Sequence, residues 1–216
     1  MKKLVSFLIL VLSSFSAEDI LAQKRITLEF LPGISGTLPM PLTVYQGGHQ
    51  VAAFAAHYET RSLEMPVYYS YRLGYISSSR GWELEMNHLK IYLTNTNEVV
   101  SHFSVSHGYN QLWLNHIWKS NFGIFRLGAG PVISHDETTV NGKRLDEKGG
   151  LFNNGYFIRG ASIQLAYQKR YYIWEHLFVS AEAKISFGYA HIGVVEGYAS
   201  TPILAGHLLF GAGVAF

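Results

Sequence analysis

The chain has no cysteine among its 216 residues. That excludes a disulfide framework, a thiolate metal site and a cysteine nucleophile. Net charge is scarce as well: the formal value is +2, and no basic run accompanies it, so nothing argues for a nucleic-acid partner. Long apolar runs are missing beyond the amino end, which excludes membrane-spanning helices. Yet 48% of the residues are hydrophobic and 14% aromatic. A chain this apolar without apolar runs carries those residues on alternate positions, as the strands of a membrane barrel do. Twenty-one glycines and fourteen tyrosines fit the same reading, glycine on a crowded inner wall and tyrosine at membrane interfaces.

The amino end reads as a secretory leader over residues 1 to 22. Lys2 and Lys3 form a positive start, and Leu4 to Leu12 an apolar stretch followed by small residues. It is too short to span a bilayer as a helix, and Glu18-Asp19 interrupts it well before the ~20 apolar residues a span needs. Cleavage after Ala22 is preferred, with Ala17 the alternative. The absence of a lipobox cysteine excludes a lipid anchor. Residues 23–216 then form a single domain.

Strand periodicity dominates that domain. Near the carboxyl end Leu208, Phe210, Ala212, Val214 and Phe216 share one phase, and His207, Gly211 and Gly213 the other. Leu177 to Phe187 alternate with Ser180, Glu182, Lys184 and Ser186, and Phe157 to Tyr167 with Gly160, Ser162 and Gln164. Similar rows run through Phe125, Leu127 and Ala129, through Val67, Tyr69, Tyr71 and Leu73, and through Trp82, Leu84 and Met86. A further row, Phe103, Val105 and Tyr109, is expected to face outward, with Ser104, Ser106, Gly108 and Asn110 inward. Together with a strand over His49 to Glu59 these segments predict an all-β, antiparallel up-and-down transmembrane barrel of eight strands. Counting Arg25 to Leu31 and Leu42 to Tyr45 as well gives ten, the less favoured number because the second is too short to span. The polar stretch from Ser134 to Gly155 is expected outside the cell, and the Lys169 to His176 connector in the periplasm. A soluble barrel is the rival architecture, but it would have to bury the inner-phase charges in its core.

Those charges are Arg72, Glu83, Glu85, Arg126, Glu182 and Lys184. An eight-stranded bore is just wide enough for side chains to fill, so they are expected to form a salt-bridged plug. None of the ten histidines shows the i, i+4 spacing of a helical zinc site, and neither metal nor other cofactor is expected. His88 and His107 stand out because their phase points toward lipid, where a polar group is costly without partners or a role. With Asn110 they are the candidate catalytic residues, and Lys90 shares the phase of His88.

With its leader, meander and terminal aromatic, the chain resembles the small OmpA-, OmpX- and OmpW-like outer-membrane barrels over nearly the whole domain. The resemblance implies an outer-membrane location, with Phe210, Val214 and Phe216 as an insertion signal for the barrel-assembly machinery. The four residues His107-Gly108-Tyr109-Asn110 also resemble the His-x-Ser-Asn motif of lipid A 3-O-deacylase barrels, with Tyr109 where that family has its nucleophilic serine. Two functional expectations follow: a monomeric barrel with a structural, adhesion or small-solute role, or an acyl hydrolase acting on outer-leaflet lipid through its outer face. Either would have membrane lipid and lipopolysaccharide as partners.

Overall fold

A computed structural model describes residues 25–151 and 153–216. The leader, and with it the choice between Ala17 and Ala22, lies outside the described residues. Thirteen strands follow in order: β1 (Arg25–Thr37), β2 (Met40–Gln46), β3 (His49–Ala56), β4 (Tyr58–Glu59), β5 (Tyr69–Ile76), β6 (Arg80–Leu93), β7 (Val100–Ser120), β8 (Gly123–His135), β9 (Glu137–Val140), β10 (Lys143–Arg144), β11 (Tyr156–Tyr172), β12 (Leu177–Val194) and β13 (Gly197–Ala215). Eight of them close an antiparallel ring, β1-β5-β6-β7-β8-β11-β12-β13, with β13 returning to β1.

The number of barrel strands matches expectation, but the first member does not. Arg25–Thr37 is the strand that closes the ring, pairing with β13 on one side and β5 on the other. The His49 to Glu59 segment lies outside the ring, β3 pairing with β2 alone among the described residues. Neither count anticipated this, because a strand bonded on both sides and a strand in a hairpin have the same side-chain period. The β2–β3 hairpin turns at Gly47-Gly48, both at positive φ, and its first strand continues the wall by pairing with the start of β13. At one end of the ring the connections are short, residues 77–79, 121–122 and 173–176. At the other lie the hairpin and the 136–155 segment. In barrels of this type short turns face the periplasm and longer loops the outside.

Toward the short-turn end the wall has inverted polarity. Ile26, Leu28, Leu84, Leu127, Ile163, Ile185 and Phe210 are about half exposed on the outside. Glu29, Arg72, Glu83, Glu85, Arg126, Glu182 and Lys184 are buried inside. In water such a belt would be an aggregation surface, whereas in a bilayer it is the required exterior. Tyr75, Trp82, Trp118, Phe122 and Trp174 crowd the short-turn end on the outside, where an interfacial aromatic girdle belongs.

Toward the loop end the polarity reverts to that of a soluble protein. Leu89, Ile91, Phe103, Val105, Tyr109, Val132, Ile192 and Ile203 point inward and are buried together. The hairpin adds Leu42, Val44 and Ala56 to the same cluster. The outside carries His102, Tyr189, His191, Tyr198 and Ser200 instead. This corrects the expectation that Phe103, Val105 and Tyr109 face lipid: they are apolar because the bore itself is apolar at that height. It also corrects Asn110, expected inward and found on the outer face beside His88.

Candidate functional site

The inward charges expected from the strand phase meet in one layer, and two further residues join them. Arg72 bridges four carboxylates, lying 3.0 Å from Glu29, 3.1 Å from Glu85, 3.0 Å from Glu182 and 3.6 Å from Glu83. Arg126 holds Glu83 and reaches Glu182 at 2.9 Å. Lys184 sits on Glu85 and lies 3.4 Å from Glu182. Arg170 completes the set, at 3.0 Å from Glu29 and 3.2 Å from Glu83. Neutral groups satisfy the remaining oxygens: Gln164 and Asn115 donate to Glu85, and Gln168 and Ser180 to Glu29. Four cations thus face four carboxylates. The six expected residues already balance as three cations and three carboxylates, and Glu29 and Arg170 add one charge of each sign. Glu29 belongs to Arg25–Leu31, which the eight-strand expectation leaves outside the ring, and Arg170 to the expected Lys169 to His176 connector, although β11 continues to Tyr172.

Directly above this floor Lys184 lies over the ring of Trp113 at 5.1 Å, and Tyr68 stacks on His207 at 5.4 Å. Above that layer the apolar cluster fills the bore. The lumen is therefore occupied at two levels by chemically different plugs, ionic below and hydrocarbon above.

A second polar group lies on the outer face near the loop end, produced by a break in the β6–β7 ladder. Leu89 pairs with Tyr109 and Ile91 with Val105, so Lys90 alone faces Ser106, His107 and Gly108. Gly108 takes φ +120°, a conformation L-residues with a Cβ avoid. The excess chain throws His107 outward while Tyr109 stays inside, a use of bulges known for re-aiming side chains. A Cβ at position 108 would stand 2.4 Å from the Asn110 side chain. Gly108→Ala is accordingly expected to lower stability by about 1 kcal/mol or more and to displace Asn110. A shifted His88 imidazole signal in NMR, alongside a lower thermal midpoint, is the readout.

The three sequence candidates end up in two places. His88 and Asn110 are cross-strand partners, Nδ1 to Oδ1 at 2.8 Å. The His88 ring is covered by Tyr69, stacked at 5.0 Å. Lys90 is tied down separately, its ammonium donating to the Glu64 carbonyl at 2.9 Å. His107 belongs instead with β8 and β9. Its Nδ1 lies 2.9 Å from Glu137 Oε1 and 3.1 Å from Ser106 Oγ, and its ring centroid is 4.8 Å from that of His135. Ser106 donates to Glu137 Oε1, and Ser104 to Oε2 at 2.9 Å. Burial pushes the Glu137 carboxyl up, but the hydrogen bonds from Ser106, His107 and Ser104 outweigh it and hold the group below its ordinary value.

A serine, a histidine and a glutamate in mutual contact invite comparison with a hydrolytic triad. In a triad the imidazole relays between its two nitrogens, one on the carboxylate and one on the hydroxyl. Here Ser106 and Glu137 both sit on Nδ1, so no relay passes through the ring. Tyr109, at the motif position of the missing nucleophile, is fully buried in the bore. His135 and Glu137 had no sequence signal: they lie 28 and 30 residues from His107, and the pairing of β7 with β8 and with β9 brings them to it.

No protein-family model matches this sequence, and no curated protein sequence does either. Among solved structures the chain is similar to OprG from Pseudomonas aeruginosa, at 12% identity and TM-score 0.48 over 92% of this chain and 99% of that one. The outer-membrane protein AlkL gives 14% identity and TM-score 0.46, with 94% of each chain covered. Ail, the attachment invasion locus protein of Yersinia pestis, gives 10% identity and TM-score 0.42 over 90% of this chain and 99% of that one. The closed eight-strand ring, its apolar belt and its ionic interior are this chain's own features, and they give it the fold of a small membrane-spanning β-barrel of the outer-membrane type.

Proposed function

We propose that this protein is a non-conducting outer-membrane barrel with a structural or adhesion role, displaying the surface at its loop end. The observation that carries the reading is the doubly filled bore, with Arg72 at the centre of the ionic level and Phe103 and Tyr109 in the apolar level, all at most 1% exposed. A solute would have to break a balanced ion network and then displace packed hydrocarbon. The small-solute role gives way on that ground. The belt would be surrounded by membrane lipid and lipopolysaccharide, with Phe210, Val214 and Phe216 on the lipid-facing phase as the segment read by the assembly machinery. The barrel would act as a monomer. Purified protein reconstituted in planar bilayers is expected to give no steady conductance. Sustained ion currents from correctly folded, heat-modifiable protein would overturn the reading and make the barrel a pore.

The hydrolase reading has the Ser106, His107 and Glu137 contacts in its favour and the single-nitrogen geometry against it. Mass spectrometry of lipid A from cells with and without the protein decides it. Identical acylation is expected, and an acyl chain lost in a His107-dependent way would establish an enzyme.

A further inference from the structure

We propose that His107, His135 and Glu137 form a binding site for a divalent transition-metal cation on the outer face of the barrel, just above the lipid belt. Each offers one ligand atom, and the three atoms lie within 4.8 Å of one another. Two of the separations are 2.9 Å, from His107 Nδ1 to Glu137 Oε1, and 3.8 Å, from His135 Nδ1 to the same oxygen. Bonds of about 2.0–2.1 Å from a tetrahedral ion place its ligands about 3.3 Å apart. The two observed separations bracket that value, so small side-chain rotations complete the geometry.

Hydrogen bonding within the protein accounts for His107 and Glu137 but not for His135. Its Nδ1 is buried and has no partner among the described residues, although it faces a carboxylate oxygen 3.8 Å away. Buried polar atoms are nearly always paired, and an orphan calls for an explanation such as an ion. A cation between Nδ1 and Oε1 supplies it. The surroundings are already those of ligands held in place. Ser104 fixes the second carboxylate oxygen of Glu137 at 2.9 Å, and the Tyr156 hydroxyl donates to the backbone carbonyl of His107 at 3.1 Å. Such outer contacts orient ligands and raise affinity.

The donor set decides the ion. Two imidazoles and one carboxylate suit zinc, copper, nickel or cobalt, whereas calcium and magnesium take oxygen ligands alone. Three protein ligands leave a coordination position free. His107, with its side chain 61% exposed, marks the open side, so water fills that position.

The test uses tag-free, refolded full-length protein in detergent micelles, titrated with zinc chloride in a calorimeter. One saturable equivalent per chain is expected for the wild type. His107→Ala and His135→Gln are each expected to weaken binding by about ten-fold or more, while His191→Ala, at an exposed position elsewhere on the outer end, leaves it unchanged. Should His135→Gln fail to give heat-modifiable protein, His107→Ala decides alone, since that side chain is exposed. Absence of saturable uptake by the wild type, or uptake equally strong in His107→Ala, would overturn the site.

Discussion

Arg72→Ala is expected to cost about 3–5 kcal/mol, the range found when one partner of a buried ion pair is removed. No other side chain of the floor touches all four carboxylates. Its loss leaves Glu29, Glu83, Glu85 and Glu182 to share Arg126, Arg170 and Lys184. Water has no easy way to replace the guanidinium, because the apolar cluster closes the bore from the loop side. Urea titration of the detergent-solubilised protein, followed by heat-modifiable mobility, reads the effect as a lower midpoint. A midpoint equal to that of the wild type would mean that the layer relaxes or hydrates freely, and that the bore is not filled as described. Removing Glu85 together with Arg72 takes one charge of each sign, and is expected to recover part of the loss.

Ala183→Arg is the second large effect. Ala183 is exposed on β12 and pairs across to Leu208 in the middle of the apolar belt. A cation there costs about 2–4 kcal/mol at the midplane and about 0–1 kcal/mol near the interfaces. His191→Arg, on the same strand and the same phase but beyond the belt, is therefore the matched control. Folding into vesicles should suffer strongly in the first variant and little in the second. Equal losses would show that the belt extends to the height of His191 or that it does not face lipid at Ala183. Ser180 does not serve as a mild comparison despite its inward phase, because its hydroxyl is bonded to Glu29 in a filled layer.

Where the wall touches lipid, the strand phase of the sequence was a reliable guide. Leu208, Phe210, Ala212, Val214 and Phe216 point outward, and the six inward charges converge as the alternation requires. Two contrasting solvents on the two faces make the pattern legible. Above the belt that contrast disappears. Phe103 and Val105 are apolar because they face an apolar bore, and the same alternation then carries the opposite meaning. Glu29 and Arg170 escape the pattern for other reasons: Arg25 to Leu31 has a strand's period, but periodicity does not say which strands enter the ring, and Arg170 stands near the end of β11, where periodicity fades. The outer cluster was the least legible. The direction of His107 follows from an excess of chain at Gly108, and its company from pairing between strands that no local pattern records.

The ionic floor also bears on how the wall comes together. Glu29, Arg72, Glu83 and Glu85 come from β1, β5 and β6, while Arg126, Arg170, Glu182 and Lys184 come from β8, β11 and β12. The amino-terminal half of the ring therefore carries three carboxylates and one guanidinium, and the carboxyl-terminal half three cations and one carboxylate. Each half by itself is self-repelling and of opposite sign to the other. Before closure, the two curved sheets attract across the gap, and a slip of one residue along the β1–β13 seam would turn Glu29 from the interior to the lipid. The seam thus has an electrical key: only the register that returns every carboxylate to a cation lets the barrel shut.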